Sequence, residues 1–405
     1  MSEVAHTPQL RFPEFSGAWN THSIGKIGTF FSGGTPASSN KDYYSGTIPF
    51  IGSGKISSES VKQHITQEAL DSSSAKIVNE GDLLYALYGA TSGAVALSKI
   101  NGAINQAVLC IRTNENKFFL KTWLEKNKER ILGTYLQGGQ GNLSAQIVKS
   151  LKLNLPTKPE QQKIAAFLTV VDNKIEQLSK KQALLGEYKK GLMQKIFSQA
   201  IRFKADDGSD FPDWEDGLLN TLIDNSRKIR YGIVQPGKYD KNGKYLIRGK
   251  DYSNGWEIPS EFFKVSDAIE KKYSKTRVKK GDVIVCIVGS VGNVMVIPGW
   301  LDGANITQTT ARIAPDKNKL NNQYLYFYFQ SLVGRNMIHK HTRVGTRPGL
   351  NIEDVEKFSI LLPSLLEQAK IANFLSSIDN KIEQVGKQLD ESKQFKKALL
   401  QQMFV

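Results

Sequence analysis

Two cysteines, five histidines and five methionines are spread through 405 residues. Two cysteines can build neither a disulfide framework nor a cysteine zinc site. Cys110 and Cys286 each sit inside an apolar run, Val108 to Ile111 and Val283 to Val288, and are expected to be buried packing residues of a protein kept in a reducing compartment. His6, His22, His64, His339 and His341 show no metal-ligand spacing, and His339 and His341 read as basic surface residues near a loop. No apolar run approaches the ~18 residues needed to cross a membrane, so no membrane partner is expected. Met1-Ser2-Glu3-Val4-Ala5-His6 shows no basic stretch ahead of an apolar core. No secretory signal is expected there, and a cytoplasmic location fits.

Catalytic signatures are equally scarce. Gly52-Ser53-Gly54-Lys55-Ile56 hints at a phosphate loop, but Pro49 stands where its first glycine belongs and Ile56 where Ser or Thr belongs. Gly89 to Gly93 lacks the spacing of a dinucleotide loop, and no Asn/Asp-Pro-Pro-aromatic run occurs. Carboxylates are plentiful, but no pair is singled out by its surroundings. No catalytic residue, metal site or cofactor is expected in this chain.

Positive charge is abundant. Lys plus Arg number 54 against 39 Asp plus Glu, a net charge of +15 with a pI near 9.5. A folded chain this basic suits a polyanion, most commonly nucleic acid. The hydrophobic share of 40% and aromatic share of 9% are those of a globular protein, long enough for two or three domains.

The chain also repeats itself. Pro156-Thr157-Lys158-Pro159-Glu160-Gln161-Gln162-Lys163-Ile164-Ala165-Ala166-Phe167-Leu168 returns, 207 residues on, as Pro363-Ser364-Leu365-Leu366-Glu367-Gln368-Ala369-Lys370-Ile371-Ala372-Asn373-Phe374-Leu375. At the same shift Asp172 to Gln177 recurs unaltered as Asp379 to Gln384. Lys189-Lys190 answers to Lys396-Lys397, and Phe197 to Phe404. Both copies predict long helices opening on capping boxes, Thr157 with Glu160 and Ser364 with Glu367. Ile164, Leu168, Val171, Ile175, Leu178, Leu185, Leu192 and Ile196 follow alternating steps of four and three, interrupted at Gln182 and Lys189. Ile371, Leu375, Ile378, Ile382, Val385, Leu389, Leu399 and Met403 repeat that register, broken at Ser392 and Lys396. So narrow a seam requires a helical partner, and the two copies suit each other. About 38 residues make a rod of roughly 57 Å. Paired antiparallel, the copies would carry their domains at opposite ends, related by a pseudo-twofold axis.

The blocks before each helix are related more loosely. Gly81 to Gly89 resembles Gly281 to Gly289, each a turn feeding a buried strand that ends at glycine. Gly102 to Gln106 parallels Gly303 to Gln308, and Arg11-Phe12-Pro13-Glu14-Phe15 with Trp19 parallels Phe211-Pro212-Asp213-Trp214. The plan is domain, helix, domain, helix: residues 1–155, 156–199, 200–362 and 363–405.

This arrangement resembles that of type I restriction–modification specificity subunits. Their helix repeat is matched by Leu155 to Leu168 with Asp172 to Ile175, and by Leu362 to Leu375 with Asp379 to Ile382. Leu10 to Phe15 and Ser32-Gly33-Gly34-Thr35-Pro36 look like the start of such a first domain. Ala369, where the first copy has Gln162, is a small departure. The resemblance implies an α+β fold with two similar α/β target-recognition domains separated by two long helices that form an antiparallel coiled coil. It implies a non-catalytic, sequence-specific DNA-binding subunit serving host defence. Each domain would read one half of a bipartite, asymmetric site in double-stranded DNA. Two methyltransferase subunits would dock on it, and two motor-nuclease restriction subunits would complete the complex. S-adenosylmethionine, ATP and magnesium would belong to those partners.

Base reading needs paired donors and acceptors, and phosphate positioning needs cations and backbone N–H groups. Candidate DNA-binding residues are Gly33, Thr35, Thr91, Ser92, Gln137, Gln140 and Asn142 in the first domain. In the second they are Arg230, Tyr231, Arg248, Lys250, Ser290, Asn293, Arg343, Thr346 and Arg347. A coiled-coil scaffold with two protein-binding modules would also explain the repeat, but it leaves the charge without a task.

Overall fold

The same succession of elements is laid down twice along the chain. The computed structural model describes residues 7–135, 142–253, 255–343, 345 and 348–405. In the first half the order is β1 (Asn20–Ser23), β2 (Gly28–Ser32), β3 (Ile48–Ile51), β4 (His64–Ile65), α1 (Gln67–Asp71), β5 (Lys76–Val78), β6 (Leu83–Ala86), β7 (Val95–Leu97), β8 (Gly102–Ile104), β9 (Val108–Thr113), α2 (Lys117–Lys126), α3 (Lys128–Tyr135), α4 (Ala145–Ser150), β10 (Lys152–Leu155) and α5 (Lys158–Phe197). The second half continues with β11 (Glu215–Leu218), β12 (Arg230–Tyr231), β13 (Lys244–Ile247), β14 (Phe263–Val265), α6 (Asp267–Lys272), β15 (Val283–Cys286), β16 (Val294–Val296), β17 (Asn305–Ile306), β18 (Thr310–Ile313), α7 (Asn322–Gln330), α8 (Leu332–His341), α9 (Ile352–Glu356), β19 (Ser359–Leu362) and α10 (Leu365–Met403). By its contacts the chain divides into a first unit, residues 1–179 with 388–405, and a second, residues 180–387.

Strand pairing is also repeated. The first unit has an antiparallel sheet β2-β9-β6-β7, a sheet β4-β3-β8-β5 in which β3 and β8 run parallel, and the pair β1-β10. The second has β12-β18-β15-β16, β14-β13-β17 with β13 and β17 parallel, and β11-β19. β5 has no strand counterpart among the described residues.

All four residues of β6, and all four of β15, are buried, which explains their unbroken apolar runs. Leu83 and Tyr85 join the core that holds α2, while Leu84 and Ala86 join a second core with Cys110. In β15, Val283 and Val285 face the α7 core and Ile284 and Cys286 face the other. Both cysteines are free and buried. Burial, chiefly, pushes the Cys110 thiol up to about 12 and raises that of Cys286.

α5 and α10 are 40 and 39 residues long. In the first unit Ile164 and Leu168 share a core with Leu399, Met403 and Phe404, Val171 packs at its margin, and Lys396 meets Asp172 at 2.7 Å. In the second, Ile371, Leu375 and Ile378 share a core with Met193, Ile196 and Phe197, Ile382 packs against it, and Lys189 meets Asp379 at 2.6 Å. Gly386 there lies against Gln182, so as α5 runs from 182 to 189 its neighbour runs from 386 to 379, antiparallel. Leu178 and Val385 are buried and Ile175 is half-buried. The lysines that interrupt each apolar stripe therefore make the same ion pair twice, with the roles of the two helices exchanged. Phe197 packs on Tyr324 and Tyr328, and Phe404 on Phe119 and Trp19.

The expected capping boxes form only in part. Ser364 Oγ accepts from the Glu367 N–H at 3.3 Å. Both glutamate carboxylates instead turn to side chains from far upstream. Arg11 donates two bonds of 2.8 Å to Glu160, and the Trp19 indole N–H donates a third at 3.3 Å. Arg202 donates to Glu367 at 3.2 and 2.8 Å, and Trp214 at 3.0 Å. Glu160 and Glu367 are 1% and 0% exposed, so a paired guanidinium with matched geometry is what offsets the cost of burying each carboxylate. Gln161 and Gln368 donate to the carbonyls of Pro156 and Pro363 and accept from the N–H of Asn116 and Asn321, which cap α2 and α7.

Two outcomes follow. Phe197→Ala and Phe404→Ala each remove a ring from a filled core and are expected to cost about 3–5 kcal/mol in chemical denaturation. Neither cysteine should react with a charged disulfide reagent until the chain is unfolded, so stoichiometric labelling of the native protein would refute the burial described here.

Candidate nucleic-acid interface

The end of each central sheet gathers the loops that the sequence singles out. The β6–β7 and β15–β16 turns are each entered through a glycine, Gly89 and Gly289, both at φ +88°, and left through Gly93 at +76° and Gly292 at +90°. Only glycine adopts these angles cheaply. Between those strands the first unit has residues 87–94 and the second residues 287–293, one fewer. Leu143 donates to the carbonyl of Leu87 at 3.0 Å and Leu350 to that of Ile287 at 2.8 Å. The segments leading into α4 and α9 therefore lie beside the hairpins in the same way. Frame and glycines are kept, while loop length and side chains change.

Gly33 and Gly232 occupy matching places just after β2 and β12. A Cβ on either would overlap the carbonyl oxygen of Ile104 or Ile306, so Gly33 is required for backbone packing whatever else it touches. Thr35 is exposed and hydrogen-bonds Gln106, and the two line a recess with Ser72 to Ser74. In the second unit, Tyr231, half exposed, lines a recess of ≈ 570 Å³ with Val288, Gln308 and Asn351. Arg230 is exposed and pairs in register with Arg312.

A larger cleft of ≈ 1020 Å³ lies along the β15–β16 hairpin and α8, bringing Ser290, Asn293 and Arg343 together with Arg335 and His339. Among the described residues its lining has two arginines and a histidine and no carboxylate. Arg343 is 3.7 Å from Asp354, and its side chain is 70% exposed. Arg248 is placed differently from its expected role. It donates to both Asp251 oxygens at 2.9 and 3.1 Å and to the Glu261 carbonyl at 3.1 Å, so its guanidinium holds the turn together. Lys250 is exposed on that turn, ahead of Tyr252 and Ser253 on the cleft wall. In the first unit Thr91 and Ser92 are half-buried in the hairpin, Ser92 donating to the Leu87 carbonyl, and Asn142 is exposed. Gln137, Gln140, Thr346 and Arg347 lie outside the described residues. His341 bonds the Met337 carbonyl through Nδ1 and stacks edge-on to Phe358, a packing role.

Arg335 was not singled out by any motif. The signal that could have found it is the spacing of polar residues along α8. Among the described residues no group of His, Cys, Asp and Glu could hold a metal ion, and no helix is long and apolar enough to cross a membrane. These surfaces offer cations, amides, hydroxyls and glycine backbone, the groups that contact phosphate and base edges.

The family described as the type I restriction modification DNA specificity domain matches residues 17–185 and again 223–392. The EcoBI specificity subunit of Escherichia coli is 26% identical over 314 residues, covering 71% of this chain and 65% of that protein, just under two thirds. The MjaVIII specificity subunit of Methanocaldococcus jannaschii is 27% identical over 415 residues, covering 96% and 92%. The crystal structure of the type I S subunit from M. genitalium shares the fold, with a TM-score of 0.62 at 16% identity over 98% of this chain and 99% of that one. With one match in each half and two repeats of one α+β frame, the chain belongs to the type I restriction–modification DNA specificity family, whose members recognise DNA and are not catalytic.

Proposed function

We propose that this chain is the sequence-reading subunit of a type I restriction–modification complex, each unit reading one half of a bipartite, asymmetric site in duplex DNA. The observation that carries this reading is one frame, used twice, that presents two different exposed hairpins. The two units keep the same strands but for β5, the same positive-φ glycines around the central hairpin and the same buried carboxylate anchors, yet differ in the length and chemistry of that hairpin. Two readers on one frame suit two different targets. The net charge of +15 suits the phosphate backbone.

In this reading α5 and α10 act as a ruler. Forty helical residues extend about 60 Å, which holds two readers one to two turns of DNA apart and leaves the bases between unread. Their outer faces dock two methyltransferase subunits, and two motor-nuclease subunits complete the restriction enzyme. S-adenosylmethionine, ATP and magnesium serve those partners, in the cytoplasm of a bacterium or archaeon.

The primary test is adenine-methylation mapping in cells carrying this gene and its partner methyltransferase gene, with and without this gene. A split motif with a fixed gap that disappears on deletion is the expected result. No difference, with both proteins expressed and no affinity for DNA even at low salt, would point to a scaffold with two protein-binding modules. The ruler has its own test. Seven residues inserted after Lys180 and seven after Lys387 lengthen each helix by about 10 Å. The unread gap should grow by about three base pairs, and an unchanged gap in an active complex would rule the ruler out.

A further inference from the structure

α8 has an inner side fixed by packing and an outer side left to solvent. Ser331 caps it, its hydroxyl accepting from the Gly334 N–H at 3.1 Å. Gly334 lies so close to α7 that a Cβ would overlap the Tyr328 carbonyl. Ile338 is buried, and Val333 and Met337 pack against the same core. The helix can neither rotate nor lift without breaking these contacts.

The outer residues are Leu332, Arg335, Asn336, His339 and Lys340, spaced i, i+3, i+4, i+7 and i+8, and all are exposed. One helical face thus carries two cations, an amide, an imidazole and an apolar side chain 57% exposed, with no carboxylate. An ordinary solvated face mixes charges of both signs. This combination is instead the chemistry of base edges. Arginine pairs with the two acceptors of guanine, asparagine with the donor and acceptor of adenine, and an apolar group meets the thymine methyl. Arg335 and His339 line the same cleft as Ser290, Asn293 and Arg343, so the face and the hairpin open to one side. A helix about 10–12 Å across with its side chains fits the ~12 Å width of the major groove, and the ten residues of α8 lay about 15 Å of it along the groove. In the first unit α3 follows α2 as α8 follows α7, with Ile131 buried beneath it. Its exposed residues, Glu129, Arg130, Gly133, Thr134 and Tyr135, mix both signs of charge, so α3 matches α8 in its place in the fold and not in its chemistry.

We propose that α8 is the recognition helix of the second unit, Arg335 and Asn336 reading base edges in the major groove and Lys340 holding a phosphate, and that α3 holds the same office in the first. This rests on the DNA-reading function above and names the element that performs it.

The experiment uses the full chain with its methyltransferase partner. It compares wild type, Arg335→Ala/Asn336→Ala, Lys340→Ala and Arg130→Ala by methylation mapping and by DNA titration at several salt concentrations, with melting curves as the check on folding. The double variant should make one or two positions of a single half-site degenerate, leave the other half and the gap intact, and lower affinity for the cognate site by about tenfold or more. Lys340→Ala should weaken all sequences alike and reduce the salt slope by about one. Arg130→Ala should alter only the opposite half-site. A folded double variant with the wild-type motif and affinity would overturn the proposal. So would one that loses affinity equally for every sequence. A wild-type chain that neither binds DNA nor directs methylation would instead defeat the DNA-reading function, and the recognition helices with it.

Discussion

Two helices of 40 and 39 residues, each apolar along one narrow stripe, cannot keep that stripe in water, and the need to cover it governs how the chain is built. Within each unit an early stretch of one helix lies against a late stretch of the other, and each ends by setting a phenylalanine among the aromatics of a domain core. The Lys–Asp pairs favour this pairing over a shifted one, because a slide by one heptad leaves four partly buried charges without partners. At the start of each helix the buried Glu160 or Glu367 fixes the preceding domain by drawing in an arginine and a tryptophan from its opening segment.

The repeat made most of this legible before any coordinate. A gap-free register across the helices, and glycines bracketing apolar runs, are local patterns that survive in a linear reading. The partner of Glu160 was not local. Arg11 lies 149 residues away, so the glutamate looked like half of a capping box. Gly33 reads in sequence as a candidate DNA contact, whereas a Cβ there would overlap the backbone of β8, which no local pattern reveals. Arg248 reads in sequence as a candidate DNA contact because its partners Asp251 and Glu261 belong to a turn visible only once folded. The α8 face went unread because its residues follow a helical period inside a stretch with no charge run and no motif.

The two units divide their residues by task. Those that keep the frame are buried or half-buried and have counterparts in both: β6 with β15, Asn116 with Asn321, Gln161 with Gln368. The exposed residues at the sheet ends and on α3 and α8 differ in chemistry, whereas the buried ones exchange mostly one apolar or aromatic side chain for another. Because the frame's energy is drawn from the buried set, exposed positions can change at small cost to stability.

The exchange of helix ends has a consequence for how the chain is made. Residue 388, where the second stretch of the first unit begins, follows Leu155 at the end of β10 by 233 positions. Until that stretch leaves the ribosome, the seat of Leu399, Met403 and Phe404 beside Trp19 and Phe119 stays open, an apolar hollow in a nascent protein. Of the two units, the one begun earlier is therefore completed later, and it exposes apolar surface until its closing stretch is made.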